Sequence, residues 1–170
     1  MSPVASYPGN VEELIRVAAE KKRGKICLVS LTKPASAILA SFERCGLDPR
    51  RFLILDAVSR VVEAQVRGEN VIQVSGPGAV TELGVRLGEL LGSGSLDLMI
   101  IDSVSVLTIY LPELEVLKFV HALVSRLRSR RIGGIFIVPS EDRETQVVKN
   151  LCMFVDAVID LSPAGRSARD

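Results

Sequence analysis

Leu98-Met99-Ile100-Ile101-Asp102-Ser103 is a run of four large apolar residues that stops at an acid. An uninterrupted apolar run of this length suits a strand covered on both faces, as in a parallel sheet. The same signature recurs upstream as Ile26-Cys27-Leu28-Val29, as Phe52-Leu53-Ile54-Leu55 ending at Asp56, and more briefly as Val71-Ile72-Gln73-Val74. Downstream it returns as Ile135-Phe136-Ile137-Val138 and Ala157-Val158-Ile159. Helical periods lie between these runs. Residues 11–20 set Val11, Leu14, Ile15, Ala18 and Ala19 on one stripe behind Asn10 as cap, and Lys21-Lys22-Arg23-Gly24 ends that helix, with Gly24 as a left-handed stop.

Pro34 opens a second helix carrying Ile38, Leu39, Phe42 and Cys45, closed by Gly46. A third, between Pro77 and Gly92, points Val80, Leu83, Leu87 and Leu90 inward after the turn Ser75-Gly76-Pro77-Gly78. A fourth, from about Pro112 to Arg131, carries Leu114, Leu117, Val120, Val124 and Leu127, and a fifth covers 142–153. Strands alternating with amphipathic helices predict an α/β domain of three layers, a mostly parallel sheet with helices on both faces. Ligands of such sheets bind beyond the carboxyl ends of the strands. The residues to watch are therefore Ser30–Lys33, Asp56–Ser59, Ser75–Gly78, Asp102–Ser105 and Pro139–Asp142.

The chain has 170 residues, 48% of them hydrophobic and 24% charged, with mean hydropathy +0.33. That is room for one domain, expected over 1–162, with a poorly defined segment at 1–10 and a small polar tail at 163–170 expected to fray. No apolar run approaches the roughly 18 residues of a membrane span, and Met1-Ser2-Pro3-Val4 lacks the pattern of a secretory signal. A cytoplasmic protein is the expectation. Lys and Arg number 21 against 20 Asp and Glu, a net +1 too small to announce nucleic acid or an anionic membrane. Cys27, Cys45 and Cys152 are odd in number, lack zinc spacing, and read as small buried hydrophobes. His121, the single histidine, falls within a helical pattern, so no Ser-His-Asp or Cys-His set extends beyond it.

Asp102 at a strand exit, followed by Ser103, has the form that holds magnesium in P-loop nucleoside triphosphatases. The form has little specificity by itself, because Leu55-Asp56 and Ile159-Asp160 repeat it. A triphosphate also requires the cradle G-x-x-x-x-G-K-[ST] between strand and helix, and the chain has none. Gly24-Lys25 precedes a strand instead, and the loop Ser75, Gly76, Gly78 leads to Glu82 where a lysine would be needed. Amides at 76–79 could hold a small anion weakly.

The chain resembles the RecA-like superfamily in its archaeal KaiC-like branch, on three stretches above all. Asp97 to Leu107 looks like that branch's Walker B strand and its following D-S-x-S-x-L. Gly133 to Val138 is similar to the next strand, and Phe154 to Leu161 to the closing one. Ile26 to Ser30 and Cys45-Gly46-Leu47-Asp48 look like the family's second strand and the motif after its helix, so the resemblance spans about residues 11–161. It implies a RecA-like fold and, for active members, ATP hydrolysis. Two departures stand out: only Met1 to Asn10 precede the first helix, where a strand and P-loop would lie, and Leu31-Thr32-Lys33 stands where active members carry paired glutamates. Of the family's residues only Asp102 and Ser103 carry over.

The expectation is accordingly a non-catalytic RecA/KaiC-like domain that associates with itself or with an active ATPase paralogue. Its interface candidates are Val106, Ile109, Tyr110 and Leu111 in an apolar segment just after the Asp102 strand. One alternative is weak ATP binding or hydrolysis using Asp102 for magnesium with Ser103, Ser75, Gly76 and Gly78 near phosphate. No cofactor is expected. Another is nucleic-acid binding through Arg126, Arg128, Arg130 and Arg131, which the 4% aromatic content serves poorly for base stacking. A phosphorylated Asp56, as in receiver domains, would need an acidic pair after the first strand, where Ser30-Leu31-Thr32 stands.

Overall fold

The computed structural model describes residues 7–61 and 68–161. The expected tail at 163–170 and most of the amino-terminal segment lie outside the described residues. Five parallel strands form one sheet: β1 (Lys25–Ser30), β2 (Phe52–Asp56), β3 (Val71–Gln73), β4 (Leu96–Asp102) and β5 (Gly133–Phe136), in the order β3-β2-β1-β4-β5. The helices are α1 (Tyr7–Lys21), α2 (Ala35–Arg44), α3 (Val80–Gly92), α4 (Leu107–Tyr110), α5 (Glu113–Ser129) and α6 (Gln146–Leu151).

The period-2 geometry of a strand sends alternate side chains to opposite faces, and here both faces are dry. Ile26 and Leu28 of β1, Phe52 and Ile54 of β2, and Leu98 and Ile100 of β4 join Val11, Ile15 and Ala18 of α1 and Ile38 and Phe42 of α2 in one cluster. The intervening Cys27, Val29, Leu55, Met99 and Ile101 meet α3, α5 and α6 on the other side, through Leu83, Leu87, Val116, Val120 and Val147 among others. The result is the expected three-layer α/β arrangement. Within the first layer, Phe42 and Phe52 pack with ring centroids 4.3 Å apart.

Local details depart from the sequence reading. α1 begins at Tyr7, so Asn10 lies inside the helix and not at its cap. Its last carbonyls are taken by Arg51, whose guanidinium donates to Ala19 O (2.6 Å) and to Lys22 O. Gly24 does not adopt positive φ; Gly46 (φ 66°) and Gly94 (φ 70°) do. What Gly24 provides is space, since a Cβ there would lie 2.5 Å from Asp97 Cγ, whose carboxylate accepts the Gly24 N–H at 2.6 Å. After α2 the expected stop holds: Leu47 N–H donates to Phe42 O (2.9 Å) across Gly46.

Leu114 points outward, 62% exposed, because α5 turns Val116 and Leu123 to the sheet instead. Cys152 is exposed and Cys45 half-buried, leaving Cys27 as the one buried cysteine, with its thiol pushed up to about 12 by burial. Ala157–Ile159 joins no strand: Val158 and Ile159 are 70% and 77% exposed, and Ile159-Asp160 is no strand exit.

Ile100 is fully buried at the centre of β4, with strands on both sides and a helical layer over its face. Ile100→Ala is expected to lower unfolding free energy by about 2–5 kcal/mol, measured as a drop in urea midpoint at unchanged slope.

Candidate functional site

The chain runs β1, β2, β3 outward on one side and returns to place β4 and β5 on the other. Strand order therefore reverses between β1 and β4, and a crevice opens where their carboxyl ends diverge. Three connections meet there. Ser30 closes the turn after β1 on itself, its Oγ accepting the Lys33 N–H (3.2 Å) and donating to Lys33 O (2.7 Å). β4 ends at Asp102, which is 6% exposed; its main-chain carbonyl accepts the Leu31 N–H at 2.7 Å, and Thr32 Oγ1 lies 3.5 Å from its Oδ2. The Asp102–Ser103 peptide is cis.

A cavity of about 330 Å³ lies over these ends. Its polar lining is Thr32, Lys33, Ser103, Ser105, Thr108 and Asp142, with Val106, Ile109 and Pro139 as its apolar side. Of these, Ser103 and Ser105 fall in the D-S-x-S-x-L stretch, and Val106 and Ile109 are the interface candidates of the segment after it. The others carry a positional signal, since they fall in or near the stretches that follow β1, β4 and β5. Ser103 and Ser105 hydrogen-bond to each other at 3.0 Å, and neither has an imidazole partner, because His121 is on α5 stacked on Phe154 (centroids 4.9 Å, 28°). A serine nucleophile needs an adjacent base. The crevice thus presents hydroxyls, one ammonium and one carboxylate, a set suited to polar contacts and short of the cations a triphosphate needs. Among the described residues no group of three His, Cys, Asp or Glu is placed to hold a metal.

The other sequence-marked groups are distributed elsewhere. Ser75, Gly76 and Gly78 follow β3, three strand spacings from β4, roughly 14 Å. They do not meet Asp102. Their loop is already served by an acid of the same chain, for Ser75 N–H donates to Glu82 Oε2 at 2.9 Å while the Ala79 and Val80 amides bond to Gly76 O and Gly78 O. That hydrogen bond from Ser75 holds the Glu82 carboxyl below its ordinary 4.5. Gly78 lies under Tyr110, where a Cβ would come within 3.2 Å of the Tyr110 Cβ.

Of the apolar segment after β4, Val106 and Leu111 pack against the core while Ile109 and Tyr110 are 75% and 52% exposed. The arginines also separate in role. Arg128 donates to Phe154 O (3.0 Å) and pairs with Asp156 (2.7 Å), and Arg130 caps α3 through Leu91 O (2.6 Å). Arg126 borders a groove between α3 and α5, and Arg131 has positive φ (57°) at the turn into β5.

Asp56 is held by several donors at once. Fully buried, it accepts from the amides of Ala35 (2.7 Å), Val58 (2.8 Å) and Ser59 (2.9 Å) and from the Ser59 hydroxyl. It ties the start of α2 to the end of β2, a structural role.

The chain belongs to a family of unknown function, DUF7504. The family model matches residues 13–161, which takes in every strand and the whole crevice. No curated protein matches the chain.

Two outcomes follow from the carboxylates. Asp56→Ala strands several buried donors and is expected to cost roughly 3 kcal/mol or more, read by urea unfolding. Glu82 is ionised below its usual value when folded, so its contribution is present above pH 4.5 and is lost as pH falls through the lowered value. The melting-temperature gap between wild type and Glu82→Gln should be present at neutral pH and close on acidification.

Proposed function

We propose that this chain is a non-catalytic RecA/KaiC-like domain that works by association, with a RecA-like ATPase paralogue as its partner. The carrying observation is the apolar surface at the carboxyl end of the sheet, where Ile109, Tyr110 and Leu114 are exposed by 75%, 52% and 62% on consecutive elements. Large side chains grouped at the rim of a crevice are a usual mark of a protein-binding surface. In support, Tyr110 packs closely on Gly78, where an added Cβ would lie 3.2 Å from the Tyr110 Cβ, so part of the surface rests on the chain's own backbone. The non-catalytic reading is supported by the chemistry at the same end: the chain has no G-x-x-x-x-G-K-[ST] loop, Leu31-Thr32-Lys33 beside Asp102 carries no glutamates, and the Ser75–Gly78 loop is bonded to Glu82.

Calorimetric titration with Mg-ATP should give no binding in the micromolar range; saturable micromolar binding would overturn the non-catalytic reading. Affinity purification from the native cell should recover a RecA-like ATPase with the wild-type chain and lose it with Ile109→Glu. Recovery of the bare chain in both cases, or of the same ATPase in both, would remove this surface from the account. Ile109 is on the surface, so the variant should keep its melting temperature.

A further inference from the structure

All five strands run the same way, so their first residues share one end of the sheet, opposite the crevice and the Ile109 rim. There the fold joins two basic stretches that stand far apart in the chain. Lys21-Lys22-Arg23 leads from α1 toward Lys25, the first residue of β1, and Arg130-Arg131 leads from α5 into β5. β1 and β5 flank β4, with Ile26 and Gly133 both level with Leu98, so the strand starts lie two spacings apart, roughly 10 Å. Lys22 spans that gap: its Nζ is 4.0 Å from where a Cβ would stand on Gly133.

Among the described residues no carboxylate pairs with Lys21, Lys22, Arg23, Lys25 or Arg131. Acids near them are taken: Glu20 pairs with Arg16, Asp97 accepts the Gly24 N–H, and Asp156 pairs with Arg128. Glu69 precedes β3, on the far side of β2. Arg131 stands in the left-handed region (φ 57°), at the position after α5 where helices ordinarily place glycine. Its N–H donates to Arg128 O (3.1 Å) and the Ile132 N–H to Leu127 O (3.0 Å), the paired bonds of that helix stop. A bulky side chain is strained there. The helix has no electrostatic need of it, because Arg126 and Arg128 already supply cations to the last turn. The strain keeps a cation at the start of β5.

We propose that this end of the sheet binds the phosphate backbone of a nucleic-acid duplex without reading its sequence. Clustered cations with no carboxylate to neutralise them suit closely spaced phosphates. A single strand would call for aromatic rings to stack its bases, and an anionic membrane for exposed apolar side chains among the cations. No aromatic residue and no exposed large apolar one falls within 21–25, 93–97 or 130–133. The surface is at the reverse end from Ile109, and the inference stands with or without an ATPase partner.

Fluorescence anisotropy of a labelled DNA duplex of arbitrary sequence, titrated with the full chain at low salt, should show saturable micromolar binding. The affinity should fall with salt along a log–log slope of about −4. Arg131→Gly should raise the dissociation constant several-fold and reduce the steepness of that slope by about 1, with a melting temperature unchanged or higher because glycine relieves the strain. Lys25→Gln should weaken binding likewise, whereas Lys118→Gln, which removes the same charge from the first half of α5, should leave it unchanged. The proposal is overturned by absent or salt-indifferent binding, by an Arg131 variant that binds as wild type does, or by equal effects of the Lys25 and Lys118 variants. Equal competition from poly-glutamate, from an unpaired strand or from vesicles containing phosphatidylserine would overturn it as well.

Discussion

Coverage of β1 and β4 on both faces is the constraint from which the rest of the molecule follows. Apolar side chains leave both strands on both sides, so each side needs its own helical layer, and the connections must cross from one end of the sheet to the other. With α1 and α2 on one face and α3, α5 and α6 on the other, the strand order reverses between β1 and β4. The same requirement that stabilises the core thus creates the crevice beside Asp102. Burial and site are consequences of one arrangement.

At the strand ends the chain answers its amides with its own acids. At the carboxyl ends Asp56 gathers the amides that begin α2 and the turn after β2, and Glu82 takes the Ser75 amide, while at the opposite end of the sheet Asp97 takes the Gly24 amide. In a phosphate-binding protein such amides would face a ligand. Here the carboxylates of Asp56 and Glu82 occupy them from within the chain. Beside the polar crevice, that end also exposes the apolar Ile109 and Tyr110.

Much of this was legible from residue order. The five strands and the helices between them follow from period, and the lack of a phosphate cradle follows from inspection, since a motif confined to eight consecutive residues is either written in the chain or is not. The misreadings have a shared cause. Asn10 looks like a cap and Leu114 like a core position because each suits its local period, yet α1 already begins at Tyr7 and α5 is rotated so that Val116 faces inward. Ala157-Val158-Ile159 has strand composition without a neighbouring strand to pair with, and composition alone cannot supply that neighbour. Within the crevice, Thr32 and Asp142 carry only the weak signal of following a strand.

Residue order by itself determined which segments are strand or helix, that they alternate, and that no lysine-bearing phosphate loop exists, because each of these is a property of neighbours along the chain. Tertiary structure alone decided the order β3-β2-β1-β4-β5, the role of Asp56 as a cap 21 residues from the amide it holds, and the meeting of Gly24 with Asp97 across 73 residues. It also decided that β5 ends the sheet. These depend on contacts between distant segments, fixed by how two apolar faces are covered at once, and no local pattern encodes them.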